Sequence, residues 1–262
     1  MKIKEVVSYL LNRFPLEDAV EYDQSKLGFV IGDENREVTK IMLALDLTFE
    51  VLMDALSNGC NLIITHHPFI YNATHKILLD NEKGRIIEIM MKREINLFSM
   101  HTNLDVGVNG IDDVWAKTLN LNNVIGDNKK GSFLRVGDIK PTRFIDFYQF
   151  VIDKFDVTGA RVVGSDDKIV TKIGLCSGSG GNEASIEEAI NAGCDCYITG
   201  EVKLTGAQKA KYNDVCLIEV NHGVEKIVFY SLKNEIEEDL GLIDKVVVTK
   251  VNTDPLRTVI RK

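Results

Sequence analysis

The apolar run Leu62-Ile63-Ile64-Thr65 ends in His66-His67-Pro68, and that ending limits the folds open to the chain more than any other segment. A short run of this kind, rich in β-branched residues, reads as a buried strand. Proline lacks an N–H and has a fixed φ, so neither a sheet ladder nor a helix interior continues through Pro68. Two imidazoles are therefore delivered together at the carboxyl end of a strand, where open α/β sheets place their ligands. A hydrophobic core gains nothing from two adjacent histidines there. A metal ion or a phosphate does.

The same pattern recurs along the chain. Helical periodicity covers residues 1–13, and 16–32 read as irregular. A strand at 40–47 leads to a helix near 49–58, a strand at 61–65, a helix near 82–93 and a strand at 95–100. The later half repeats the scheme: a strand at 169–176, a helix near 183–192, a strand at 194–198, a helix near 204–212, a strand at 215–220 and a helix reaching Leu240. Between the halves lie a strand near 133–138, a helix near 142–155 and a strand near 160–164; the alternating strand 245–251 closes the chain. Alternating strands and helices imply parallel pairing. The expected fold is α/β, with two lobes divided near the turn-rich stretch 122–130: 1–128 as the first, and 129–262 as the second. The closing helix and strand have the option of packing back on the first lobe.

Four of the five histidines, His66, His67, His101 and His222, fall at carboxyl ends of these strands; His75 reads as a solvated loop residue. Asp46, Asp105, Glu201 and Glu225 fall at or within about a turn of such ends. Scattered surface polar residues would show no such preference, so the groups are expected to converge. His101 and Asp105 share a side if their segment turns helically, and His222 and Glu225 are neighbours at i and i+3. Mixed nitrogen and oxygen donors suit divalent zinc, iron, manganese, cobalt or nickel, and not calcium. With Asp105 and Glu225, the four imidazoles make six candidate ligands, more than one open tetrahedral ion needs. Two ions sharing a carboxylate, Asp105 or Glu225, match the count better. Against this stand plainer readings: Asp46 and Asp105 as helix N-caps, Glu225 as a complement to a helix dipole. The glycine-rich Cys176–Gly181 segment reads equally as an anion cradle or a tight turn.

Composition narrows the function further. A formal charge of -8 disfavours nucleic acid and anionic membrane surfaces as partners. No apolar stretch reaches the length of a membrane span. Met1–Glu5 run directly into a helical pattern without the apolar core of a secretion signal. Five scattered cysteines suit a reducing compartment, with Cys194 and Cys196 as core packing, so a cytoplasmic location is expected.

Leu45-Asp46-Leu47-Thr48, Ile64-Thr65-His66-His67-Pro68, His101-Thr102-Asn103-Leu104-Asp105, Thr199-Gly200-Glu201 and His222–Glu225 together resemble the dinuclear-metal-centre family. Its members carry the label GTP cyclohydrolase 1 type 2 homologue and are related to the Ngg-interacting factor three proteins. The resemblance runs through nearly the whole chain in motif order. It implies two α/β lobes with a metal site in the cleft between them, and ligands at His66, His67, Asp105, His222 and Glu225. It also puts His101 near the metals and implies a toroidal homohexamer. Three positions depart from the family pattern. Glu225 follows His222 by three residues where four is usual, Thr205 stands where many members have histidine, and Tyr22 stands where tryptophan is frequent. Lys226, at the usual position, cannot ligate while charged. The resulting expectation is a two-metal hydrolase of a nucleotide-like or phosphorylated small molecule, with His101 or Glu201 moving protons. The competing expectation is a metal-binding scaffold or metal chaperone without turnover.

Overall fold

Strands that are apolar on both faces need cover on both, and parallel pairing with crossover helices supplies it. The computed structural model describes residues 1–126 and 133–256. Helices α1 (Ile3–Arg13) and α2 (Glu21–Gln24) precede strand β1 (Gly28–Ile31). After these come β2 (Ile41–Ala44), α3 (Phe49–Ser57), β3 (Leu62–Thr65), α4 (Glu82–Arg93), β4 (Asn96–Ser99) and α5 (Thr102–Val106). Next are α6 (Ile111–Thr118), β5 (Asn122–Gly126), β6 (Arg135–Arg143), α7 (Phe144–Phe155) and β7 (Arg161–Val163). The chain continues through β8 (Ile169–Cys176), α8 (Glu183–Asn191), β9 (Cys196–Thr199), α9 (Leu204–Tyr212) and β10 (Cys216–Glu219). A 3-10 turn (His222–Ile227), α10 (Val228–Leu240) and β11 (Val246–Val248) complete the order.

Met1–Gly107 with Val228–Thr253 forms one compact unit, and Val108–Ile227 with the residues from Asp254 forms the other. Each holds one sheet flanked by helices, the α/β architecture the sequence implies. The boundary expected at 128/129 lies outside the described residues.

In the first unit the strand order is β1-β4-β3-β2-β11. β4, β3, β2 and β11 run parallel, and β1 joins β4 antiparallel. The register puts Ala44, Thr65 and Ser99 in one row, so the segments leaving these three strands start from a common edge. β1 starts beside that row, since Gly28 pairs with Ser99, and α2 is thereby brought to the same edge. β2, β3 and β4 are wholly buried. Met42, Ile63 and Leu97 pack with Leu52, Ile86 and Met90 of α3 and α4. The irregular reading of 16–32 is corrected here. The partly buried Gly28–Ile31 is an edge strand whose alternation is too short to read from sequence.

The second sheet runs β5-β6-β8-β9-β10-β7. Its centre, β8-β9-β10, is parallel, and β5, β6 and β7 are antiparallel additions. Cys176, Thr199 and Glu219 form the corresponding row. Helix α6 and strand β5 escaped the sequence reading, and Cys194 precedes its strand rather than opening it. All five cysteines are buried and none is in a disulfide, so Cys194, Cys196 and Cys216 serve as core packing. Burial pushes the Cys194 and Cys216 thiols up to about 11, which makes them poor nucleophiles. Among the described residues, no helix is long and apolar enough to cross a membrane.

Candidate metal centre

In the first unit, three strand ends deliver the chemistry. The backbone of His66 and His67 still pairs with the neighbouring strand end, their N–H groups donating to the Ala44 and Leu45 carbonyls at 3.2 and 2.9 Å. A buried hydrogen bond of 2.9 Å between the Thr65 and Ser99 hydroxyls ties the strands directly beneath. His66 is fully buried, and its Nε2 lies 3.5 Å from Asp105 Oδ1. Asp105 reaches it because the short helix α5 starts directly after His101, and the Asp105 N–H donates back to the His101 carbonyl at 3.2 Å, so the turn brings the carboxylate back to the edge. The His66, His67 and His101 rings lie 4.8–5.6 Å apart, centroid to centroid. One ligand nitrogen from each falls within 4.8 Å of the others, and drawing them to the about 3.3 Å between imidazole nitrogens on one tetrahedral ion takes only a modest side-chain adjustment.

Carboxylates hold two of these imidazoles from behind. His67 Nδ1 lies 2.7 Å from Asp46 Oδ1, whose Oδ2 accepts the Thr253 hydroxyl at 2.5 Å. His101 Nδ1 lies 2.5 Å from Asp23 Oδ2, which also accepts the Thr102 hydroxyl at 2.9 Å. Facing a carboxylate, Nδ1 carries the proton and Nε2 keeps its lone pair for a metal. Burial alone would raise the Asp23 carboxyl, but the bonds from His101 and Thr102 outweigh it and hold it below its usual value.

The second unit builds a smaller set by the same means. His222 Nδ1 lies 2.9 Å from Glu201 Oε1, and His222 Nε2 lies 3.2 Å from Glu225 Oε2. The three-residue interval between His222 and Glu225 has a local explanation. The segment is a 3-10 turn, with three residues per turn, so side chains at i and i+3 eclipse. Gly178 lies against the pair with φ +56, and a Cβ there would come within 2.7 Å of Glu225 Oε1. The glycine-rich segment is therefore shaped around carboxylates. Its Ser177 N–H donates to Asp112 Oδ1 at 2.8 Å, and the Ser179 hydroxyl donates to Glu201 Oε2 at 3.2 Å. Of the two sequence readings, a tight turn describes it.

Asp112 itself is wholly buried, and burial pushes its carboxyl up to about 7, against the Ser177 N–H and Arg135, which lower it. A raised folded-state value means stability present below about pH 4 and lost as pH rises through about 7. Asp112→Asn keeps the acceptor oxygen and removes the charge. Its melting temperature, measured on chelator-treated protein, is expected to exceed that of the parent by more at about pH 8 than at about pH 5. An equal gap at both would contradict this placement of Asp112.

Two of the plainer sequence readings fall at these sites, and one residue escapes the sequence altogether. Thr48, not Asp46, caps α3 through the Val51 N–H, which frees Asp46 for His67. Asp105 is the fourth residue of α5 rather than its cap. Asp23, the partner of His101, carries no signal in the sequence: a buried aspartate in a four-residue helix leaves no periodic trace. His75 is exposed, as expected of a loop residue.

Over residues 1–255 the chain matches the Duf34/NIF3 (NGG1p interacting factor 3) family. It belongs to that family. A Clostridium acetobutylicum relative named GTP cyclohydrolase 1 type 2 homolog is 28% identical over 268 residues, covering 98% of each chain. A Staphylococcus aureus relative of the same name is 27% identical over 371 aligned positions, covering 98% of this chain and 100% of its own. That alignment is longer than the 262 residues here, so the Staphylococcus protein carries an insertion. Among solved structures, a Staphylococcus aureus hypothetical protein superposes with a TM-score of 0.90 at 27% identity, covering 99% of both chains. A Bacillus cereus protein related to NIF3 matches with a TM-score of 0.90 at 23% identity, again over 99% of both, and supports the fold alone.

Proposed function

We propose that the protein is a metal-dependent hydrolase whose ions are held by His66, His67, Asp105, His222 and Glu225. The observation that carries this reading is a repeated device. His67, His101 and His222 each set Nδ1 against a carboxylate, at 2.7, 2.5 and 2.9 Å, leaving Nε2 as the lone-pair nitrogen. Structural histidines have no need of that arrangement three times over, whereas metal-binding histidines use it to fix tautomer and ring orientation. Imidazole nitrogens with carboxylate oxygens make a borderline donor set that fits two ions of zinc, iron, manganese, cobalt or nickel. When bound, such ions supply Lewis acidity and a water that ionises near neutral pH.

The chain's own residues do the rest. His101, oriented by Asp23, stands beside His66 and His67 as the group that holds or moves a proton. Glu201 acts through His222 as a positioning residue. The substrate is a nucleotide or other phosphorylated small molecule, a class to which the relatives' name points. With a formal charge of -8, the chain draws such an anion through its ions rather than through its surface. We further propose a cytoplasmic toroidal homohexamer, which native mass spectrometry of the full chain reads directly.

Elemental analysis of protein purified without added metal, paired with a hydrolysis screen of nucleotides and phosphoesters, tests this. About two equivalents per chain and turnover of at least one compound are expected. Two equivalents without turnover would favour the scaffold or chaperone reading instead. Absence of stoichiometric metal would end both.

A further inference from the structure

We propose that Lys26 is a positioning residue for His101, acting through Asp23 and held in place by Tyr71 and Tyr22. The inference rests on the reading of His101 as part of the metal centre.

Asp23 is fully buried and divides its work between two oxygens. Oδ2 takes the His101 ring and the Thr102 hydroxyl. Oδ1 makes no hydrogen bond among the described residues, and the group facing it is the Lys26 ammonium, at 3.6 Å. A buried carboxylate oxygen is costly without a donor or a counter-charge. Lys26 is therefore what lets Asp23 stay turned inward with Oδ2 presented to His101.

Lysine is a flexible, strongly hydrated point charge and ordinarily poor at holding one geometry. Here aromatic faces restrain it. Its Nζ lies 3.5 Å from the Tyr71 ring centroid and 5.0 Å from that of Tyr22. Both distances fall within the range of cation–π attraction. The side chain is only 16% exposed, although Tyr22 and Tyr71 are themselves exposed. Tyr71 lies four residues beyond His67, on the segment leaving the paired histidines, and Tyr22 and Lys26 flank Asp23. One ammonium thus joins the segment leaving His67 to the one that orients His101. An ordinary surface ion pair at i and i+3 would need neither ring.

The test reads the His101 tautomer in metal-free full-length protein, by long-range proton–nitrogen correlation on histidine-labelled samples at about pH 8. The His101 signals are identified by their loss in His101→Gln. In the parent the proton sits on Nδ1. In Lys26→Met a substantial share is expected on Nε2, while Lys26→Arg restores the parent pattern. Tyr71→Ala, which leaves Asp23 and Lys26 in place, is expected to shift the tautomer in the same direction but less. Zinc affinity, by chelator competition, is expected to fall about tenfold in Lys26→Met. A parent-like His101 tautomer and zinc affinity in both Lys26→Met and Tyr71→Ala would overturn the proposal. The tautomer is read without metal, so that result would leave the metal centre standing. A parent protein that binds no zinc would sink the metal centre alone.

Discussion

His67→Ala is expected to weaken zinc binding by about 100- to 1,000-fold and to abolish any hydrolysis that depends on it. A four-ligand zinc site is worth about 10–16 kcal/mol, or about 2.5–4 kcal/mol for each ligand, and each 1.4 kcal/mol is about tenfold in affinity. His67 sits at the upper end of that range, because its ring is already aimed. Asp46 holds Nδ1 at 2.7 Å, and Thr253 holds Asp46 at 2.5 Å. Free imidazoles would have to be ordered by the ion itself. The fold should survive, since the His67 side chain is 24% exposed and the strand beneath it is secured by Thr65 and Ser99. Chelator competition gives the affinity, and circular dichroism checks the fold. Parent-like affinity in a folded variant would remove His67 from the ligand set, and surviving hydrolysis would detach the activity from this site.

Glu225→Gln should act with opposite signs on the two forms of the protein. The carboxylate is buried beside His222 and close to Gly178, in surroundings where charge is expensive unless it is compensated. Without metal, the neutral amide of the same shape is expected to melt no lower than the parent. With saturating metal, the parent gains stability by mass action and the variant gains much less. A hundredfold loss in affinity forfeits about 2.7 kcal/mol of that gain. Thermal unfolding with and without added zinc measures both halves. A variant that loses stability equally in each condition would make Glu225 a structural group.

Much of the site is legible in the sequence because it needs only strand ends. Parallel strands in register release their next residues at one edge, so the points where the apolar runs stop are enough to select His66, His67, His101 and His222. The orienting carboxylates are harder to find. Asp46 and Thr48 are both good helix caps two residues apart, and only the Val51 N–H decides between them. Asp23 belongs to a short helix ahead of an edge strand, where neither periodicity nor an apolar run marks the position. The spacing of His222 and Glu225 looks irregular only against an α-helical ruler. A 3-10 turn, which sequence seldom declares, aligns them. The elements that escape, the helices α2 and α6 and the antiparallel strands β1 and β5, lie outside the strand–helix alternation that marks the rest.

The central claim is that His66, His67, Asp105, His222 and Glu225 are metal ligands. Anomalous diffraction from zinc-loaded crystals addresses it most directly. Two peaks are expected, with His66, His67, Asp105, His222 and Glu225 all contributing a donor at about 2.0–2.2 Å. Zinc peaks that lie away from these five residues would contradict it.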